Sequence, residues 1–419
     1  MTRPEPKRAF LFLQGPHGPF FARLGAALAA QGHDVHRINL NGGDRADWAI
    51  GGPGRGVDYR GTRRGWPLFF DDFVVEHGIT DVLLFGDCRP HHGAAHGMAK
   101  LRGVRVHAVE EGYLRPDFMT LQEGGVNGNS NLPHDPRWYR DEARLLPPVQ
   151  AAPYVPSSFK RRVAESSRYT LATALNLPRF PHYRSHRLDS MVAEALGWAL
   201  RYLGEKRERA RSAALWAQVA DQPYFALPLQ LNTDYQLRIH SPFGDMRAAL
   251  RFVVKSFARA APAETHLLIK RHPLDGGLTP WRRIIRRHAR DYGVEDRVHY
   301  LGDHDITDLV QHARGVVTVN STVGTLALNG GVPVVVLGEA VYDVPGIVHV
   351  GPLDAFWAAP QPPDPELYDA FRRVLIDRCL IPGGYGSDEG VDMLVDHARA
   401  RLTARVPAAM FGGAIPSWR

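Results

Sequence analysis

The sequence predicts an α/β protein made of two Rossmann-like, doubly wound parallel-sheet domains that face one another across a cleft. Three observations lead there. Short apolar runs alternate with helical stretches over residues 1 to about 125, the alternation stops from about 130 to 218, and it resumes from Tyr224 to Leu337. A chain of 419 residues is also long enough for two cores, since domains usually hold about 100–200 residues each.

The first series opens with an apolar strand at Ala9–Leu13 and the turn Gln14-Gly15-Pro16-His17-Gly18. An alanine-rich helix near Phe20–Gln31 and a strand at Val35–Leu40 complete a βαβ unit. Strands at Asp81–Phe85 and Val104–Val109 follow, with a helix between them. Proline-punctuated loops come next, then charged helices at Leu188–Leu203 and Glu205–Val219. The second series places strands at Tyr224–Leu229, Thr265–Ile269, Val298–Tyr300, Val316–Val319 and Pro333–Leu337. Helices near Phe243–Ala260, Pro280–Tyr292, Ile306–Ala313 and Val323–Gly330 separate or follow them. We therefore divide the chain into 1–218, a Rossmann-like domain with a helical extension, and 219–419, a second Rossmann-like domain whose last helices are free to cross back. Open sheets of this kind bind ligands beyond the carboxyl ends of their strands.

Composition narrows the classes. The residues are 44% hydrophobic and 23% charged, as in an ordinary globular protein. No apolar run reaches the roughly 20 residues of a membrane span, and Ala9–Leu13 is too short for a signal-peptide core. A cytoplasmic location follows as an expectation. Cys88 and Cys379 are far apart and form no ligand pair, so both are read as reduced and structural, with no metal. The net charge of +7 suits an anionic partner. No helix-turn-helix, finger or RNA-binding signature accompanies the basic clusters, so nucleic acid is set aside. No G-x-G-x-x-G or P-loop pattern is present, which argues against dehydrogenases and P-loop NTPases.

Four motifs sit where the cleft is expected. Lys270-Arg271-His272-Pro273 follows a strand and offers two cations and a histidine held by proline, suited to a phosphate and a carboxylate. Asn320-Ser321-Thr322 precedes a helix on the same sheet edge, where hydroxyls and free N–H groups can hold phosphate as well as cap the helix. Glu110-Glu111-Gly112, with Arg115 just beyond, ends a first-domain strand. Adjacent carboxylates there can serve as acid, base or nucleophile, or can lie in a solvated turn. The segment holding Gln230, Asp234 and Gln236 leaves the first strand of the second domain and can read sugar hydroxyls. Elsewhere, Asp71-Asp72 reads as a helix start, and His91, His92 and His96 lack a companion ligand. Glu339 and Asp343 could meet a ribose or cap a loop, and the aromatic stretch Gly65–Phe73 could face lipid or fill the core.

Taken in order, EEGYLRPD with MTLQEGGVNGNS, PLQLNTDYQL, HSPF, IKRHPLD and VNSTVGTLALNGGVPVVVLGEAVYDVPG resemble the capsule polysaccharide biosynthesis family. Within it the single-module capsular Kdo transferases are most similar. The resemblance covers most of residues 10–350. It implies a GT-B fold, a CMP-Kdo donor, no cofactor, and a retaining transfer giving a β-linkage to a phosphatidylglycerol-type lipid at the cytoplasmic face of the inner membrane. It also implies other capsule synthesis and export proteins as partners. The site motifs are similar to those of bacterial sialyltransferases. That likeness implies phosphate binding by His272 and Ser321/Thr322, with Glu111 or Glu110 acting at the sugar, while Lys270 and Arg271 are candidates for the sugar carboxylate. Two other readings remain at this point: a GT-B enzyme using a nucleoside diphosphate sugar, and a non-catalytic scaffold of the capsule assembly machinery.

Overall fold

The computed structural model describes residues 7–150, 153–184 and 191–404, without the side chains of 191–195. Seven strands form the first sheet: β1 (Ala9–Phe12), β2 (Asp34–Asn39), β3 (Val57–Asp58), β4 (Asp81–Phe85), β5 (Arg105–Glu111), β6 (Phe118–Glu123) and, from the far end of the chain, β12 (Leu380–Pro382). Five form the second: β7 (Tyr224–Pro228), β8 (His266–Lys270), β9 (Val298–Leu301), β10 (Gly315–Thr318) and β11 (Val334–Val336). The spatial orders are β12-β6-β5-β4-β1-β2-β3 and β11-β10-β7-β8-β9. All pairs in the second sheet are parallel; in the first, β5–β6 and β6–β12 are antiparallel. Two mostly parallel sheets flanked by helices give the GT-B architecture that the sequence predicts.

Burial follows from the sequence pattern. β1, β7 and β10 are buried along their whole length, which their unbroken apolar runs require of strands covered on both faces. Helix Met246–Ala260 turns Leu250, Val253, Val254 and Phe257 inward at helical spacing, and Asp245 caps it by accepting the Ala248 N–H at 2.8 Å.

Several elements differ from expectation. The sequence signals no β6, because Phe118–Glu123 is neither an unbroken apolar run nor a regular alternation of apolar and polar residues. The structure places β6 antiparallel to β5, with Glu110 opposite Thr120 and Glu111 opposite Met119. The two helices expected over Leu188–Leu203 and Glu205–Val219 are one helix, Met191–Val219, in which Gly204 is tolerated; Leu188–Ser190 lie outside the described residues. Asp71 and Asp72 stand inside helix Trp66–Glu76 rather than at its start, and Asp71 pairs with Arg102 at 2.6 Å. The aromatic stretch is core: Trp66, Phe70 and Phe73 are buried, and Trp66 Nε1 donates to the His91 carbonyl at 2.7 Å. His91 and His92 are buried as well, and burial lowers the pKa of both, which makes them packing residues. After the second sheet the chain returns: β12 extends the first sheet and helix Asp388–Thr403 packs on helix Phe20–Ala30.

Candidate active site

The carboxyl ends of the two sheets border a cavity of about 310 Å³. From the first domain it is lined by Glu110, Glu111 and Arg115 at and beyond the end of β5. From the second come Gln230, Asp234 and Gln236 after β7, His272 after β8, and Asn320, Ser321 and Thr322 after β10. Ten candidates from four separate motifs thus converge on one volume, as strand-end loops of facing parallel sheets require.

Gly112 makes the acidic corner possible. A Cβ at this position would lie 2.0 Å from the Phe118 carbonyl oxygen, so only glycine lets the chain turn from β5 into β6 there. The two glutamates then differ. Glu111 accepts a 2.7 Å ion pair from Arg162 on helix Phe159–Leu175. Glu110 turns toward Gln236, whose Nε2 stands 3.4 Å from Oε2. Burial, reinforced by the neighbouring Asp87 and Asp234 carboxylates, raises the Glu110 pKa to about 8. That is suited to proton transfer near neutral pH.

Across the cavity, His272 Nδ1 accepts the Leu274 N–H at 3.1 Å. Burial, followed by the nearby charges of Lys270 and Arg115, lowers its pKa to about 4, so the ring is neutral. Ser321 and Thr322 bring their hydroxyls to the same edge, but the helix after them, Val323–Asn329, is short. Ser321 already takes two of the nearby donors: Val323 N–H to its Oγ at 3.2 Å and Gly324 N–H to its carbonyl at 2.9 Å. Ser321 and Thr322 thus line the cavity, while the short helix after them has part of its N-terminal donors already taken.

Other expected residues serve the frame. Gln230 Nε2 donates to Asn320 Oδ1 at 2.8 Å while the Asn320 N–H returns to Gln230 Oε1 at 3.1 Å. Asn320 Nδ2 also donates to the Gln236 carbonyl at 2.9 Å. Asp234 caps helix Tyr235–Ile239 through the Gln236 N–H at 2.9 Å. Gln236 accepts from Asn127 of the first domain at 3.1 Å, which joins the two walls. Lys270, Arg271 and Pro273 do not line the cavity. Lys270 Nζ turns onto the Arg271 carbonyl at 3.3 Å, and the Arg271 N–H continues the pairing to β9 at Leu301, 2.9 Å away. The Pro273 carbonyl accepts from Arg201 at 2.6 Å, which anchors the histidine loop to the long helix.

A family model described as capsule polysaccharide biosynthesis protein matches residues 80–385, a span that contains every residue of this cavity. The chain belongs to that family. It is 36% identical over 381 residues to the capsule polysaccharide export protein KpsS of Escherichia coli, covering 90% of this chain and 97% of the relative. It is 34% identical over 389 residues to the capsule polysaccharide modification protein LipB of Neisseria meningitidis serogroup A, covering 91% and 93%. Among solved structures, the β Kdo 2,4 transferase of Thermosulfurimonas dismutans KpsC aligns with 94% of this chain and 99% of its own at 13% identity and a TM-score of 0.43.

In this capsule biosynthesis protein the sequence reading overlooked Arg89. It follows β4, lines the cavity, lies 5.1 Å over the Phe85 ring and donates to Gln14 at 3.0 Å. Among the described residues, Arg89 and Arg115, both of the first domain, are thus the arginines that line the cavity. The signal available for Arg89 was its place after an apolar strand, in Gly86-Asp87-Cys88-Arg89, a string that matches no phosphate-loop pattern.

Proposed function

We propose that this protein is a glycosyltransferase that moves Kdo from CMP-Kdo to an anionic, phosphatidylglycerol-type lipid at the cytoplasmic face of the inner membrane, with retention to a β-linkage. The observation that carries the reading is the convergence of Glu110, His272 and the Ser321–Thr322 hydroxyls on one cavity with two arginines. His272, Ser321 and Thr322 take the single phosphate of CMP, where hydrogen-bond donors stabilise the departing charge. Arg89 and Arg115 receive the sugar carboxylate, in place of Lys270 and Arg271. Glu110 handles the proton, and Glu111 is steadied by Arg162. Gln230, Asp234, Gln236 and Asn320 shape the wall that meets the sugar.

Membership of the capsule family supports a sugar donor and further capsule proteins as partners. No helix among the described residues is long and apolar enough to cross a membrane. Peripheral attachment is supported by the net charge of +7 and by exposed Phe159, Leu171 and Leu175 on the basic helix Phe159–Leu175. The test is the mass of the product formed from CMP-Kdo and phosphatidylglycerol-type lipid, with calorimetry of CMP, UDP and GDP beside it. A lipid gaining one Kdo and a preference for CMP are expected. Tighter UDP binding with no Kdo transfer would sink the reading in favour of a nucleoside diphosphate sugar. No turnover with any donor would favour a scaffold.

A further inference from the structure

Beside the cavity, Asp87 and Cys88 of the loop after β4 meet His240, which ends helix Tyr235–Ile239 in the other domain. One potential ligand atom from each residue lies within 4.8 Å of the others. Cys88 Sγ is 3.1 Å from His240 Nε2 and 3.3 Å from Asp87 Oδ1. All three residues are buried.

The histidine is oriented as a ligand would be. Its Nδ1 faces Glu339 Oε2 at 2.8 Å, so the ring proton belongs there and the Nε2 lone pair points at the thiol. A carboxylate behind a ligating histidine is the usual outer support of a metal site. Gly128 leaves room for this pair: a Cβ at that position would lie 2.0 Å from Glu339 Oε2 and 2.2 Å from His240 Nδ1. Charge agrees with geometry. Asp87 makes no ion pair among the described residues and accepts from Val126 N–H at 2.9 Å, Asn129 Nδ2 at 3.0 Å and Gln236 Nε2 at 3.3 Å. Asp87 itself and Asp234 place carboxylates around Cys88. In a tetrahedral zinc site, bond lengths of about 2.3 Å to sulfur and 2.0 Å to nitrogen hold those two atoms roughly 3.5 Å apart, a small expansion of what is seen.

We propose that Asp87, Cys88 and His240 bind one borderline-soft divalent cation of the Zn²⁺ class. On binding, the Cys88 S–H bond breaks, its proton leaves to solvent, and a thiolate–metal bond forms while His240 Nε2 gives its lone pair. Cys88 also lines the cavity, so a remaining coordination position is reached from there. The ion joins one loop from each domain. This inference rests on ligand geometry and not on the donor assigned above, so metal content and Kdo transfer can fail separately.

The test uses the full-length chain, stripped with a chelator and titrated with Co²⁺, reading the thiolate-to-cobalt charge-transfer band, with Zn²⁺ as competitor. The expected result is one equivalent per chain, displaced by Zn²⁺. Cys88→Ser abolishes the band, and His240→Gln weakens binding at least about tenfold. Glu339→Gln, at a well-exposed side chain that puts folding least at risk, weakens it about 10–100-fold. Cys379→Ser keeps the band. No thiolate band in the wild type, or the same band in Cys88→Ser, overturns the proposal; so does unchanged affinity in a folded Glu339→Gln.

Discussion

His272 Nδ1 accepts the Leu274 amide proton at 3.1 Å, which leaves the ring's own proton on Nε2. A neutral imidazole fixed in this tautomer is a donor to phosphate without being a cation.

That state has a pH signature. The folded pKa of about 4 lies below the ordinary 6.5, so the folded form resists protonation more than the unfolded chain does. Stability contributed by the neutral ring is present above pH 6.5 and declines as pH falls toward 4. His272→Gln should flatten that part of a denaturation-midpoint profile, and should lower kcat with CMP-Kdo by about 10²–10³-fold. An unaltered profile together with unaltered turnover would remove His272 from the site.

Glu110 shifts the other way. Its pKa of about 8 exceeds the ordinary 4.5, so the unfolded chain ionises first and stability falls as pH rises from about 4.5 to 8. Glu110→Gln should be more stable than the wild type at pH 8 and inactive in transfer. Carboxyl titration followed by NMR or infrared should show one group near 8 that the variant lacks.

Asn320 supports the floor of the cavity. Asn320→Ala leaves the Gln230 side chain and the Gln236 carbonyl short of partners in a buried place. A loss of about 1–3 kcal/mol in urea denaturation is expected, with donor affinity weakened because Ser321 and Thr322 follow directly.

At the acidic corner, Gly112→Ala forces a carbon against the Phe118 carbonyl. Backbone cannot yield as a flexible side chain does, so a cost of about 3 kcal/mol is expected. Thermal unfolding measures it, and transfer activity should fall further than Tm alone explains, since Glu110 and Glu111 precede the turn.

The two parallel series were legible because buried parallel strands are apolar along their length, as in Tyr224–Pro228 and Gly315–Thr318. The strand-end motifs were legible for the same reason: once the strands are known, His272 and Glu110 must lie at their carboxyl ends. What escaped depends on tertiary placement. β12 has three residues and exists only because β6 offers an edge. Lys270 and Arg271 carry the right charge, but strand pairing and a carbonyl contact hold them off the cavity, while Arg89 reaches it from a string with no familiar spacing. Cys88 and His240 are 152 residues apart, so spacing rules for metal ligands cannot see them.

The return of Leu380–Pro382 to the edge of β6 bears on how the molecule is made. Protein synthesis delivers the first sheet's other six strands early, yet its edge strand leaves the ribosome only after the whole second sheet has emerged. Until then β6 presents an open row of amide and carbonyl groups, the kind of edge on which nascent chains aggregate. The second domain is in topology an insertion, and the first is completed last.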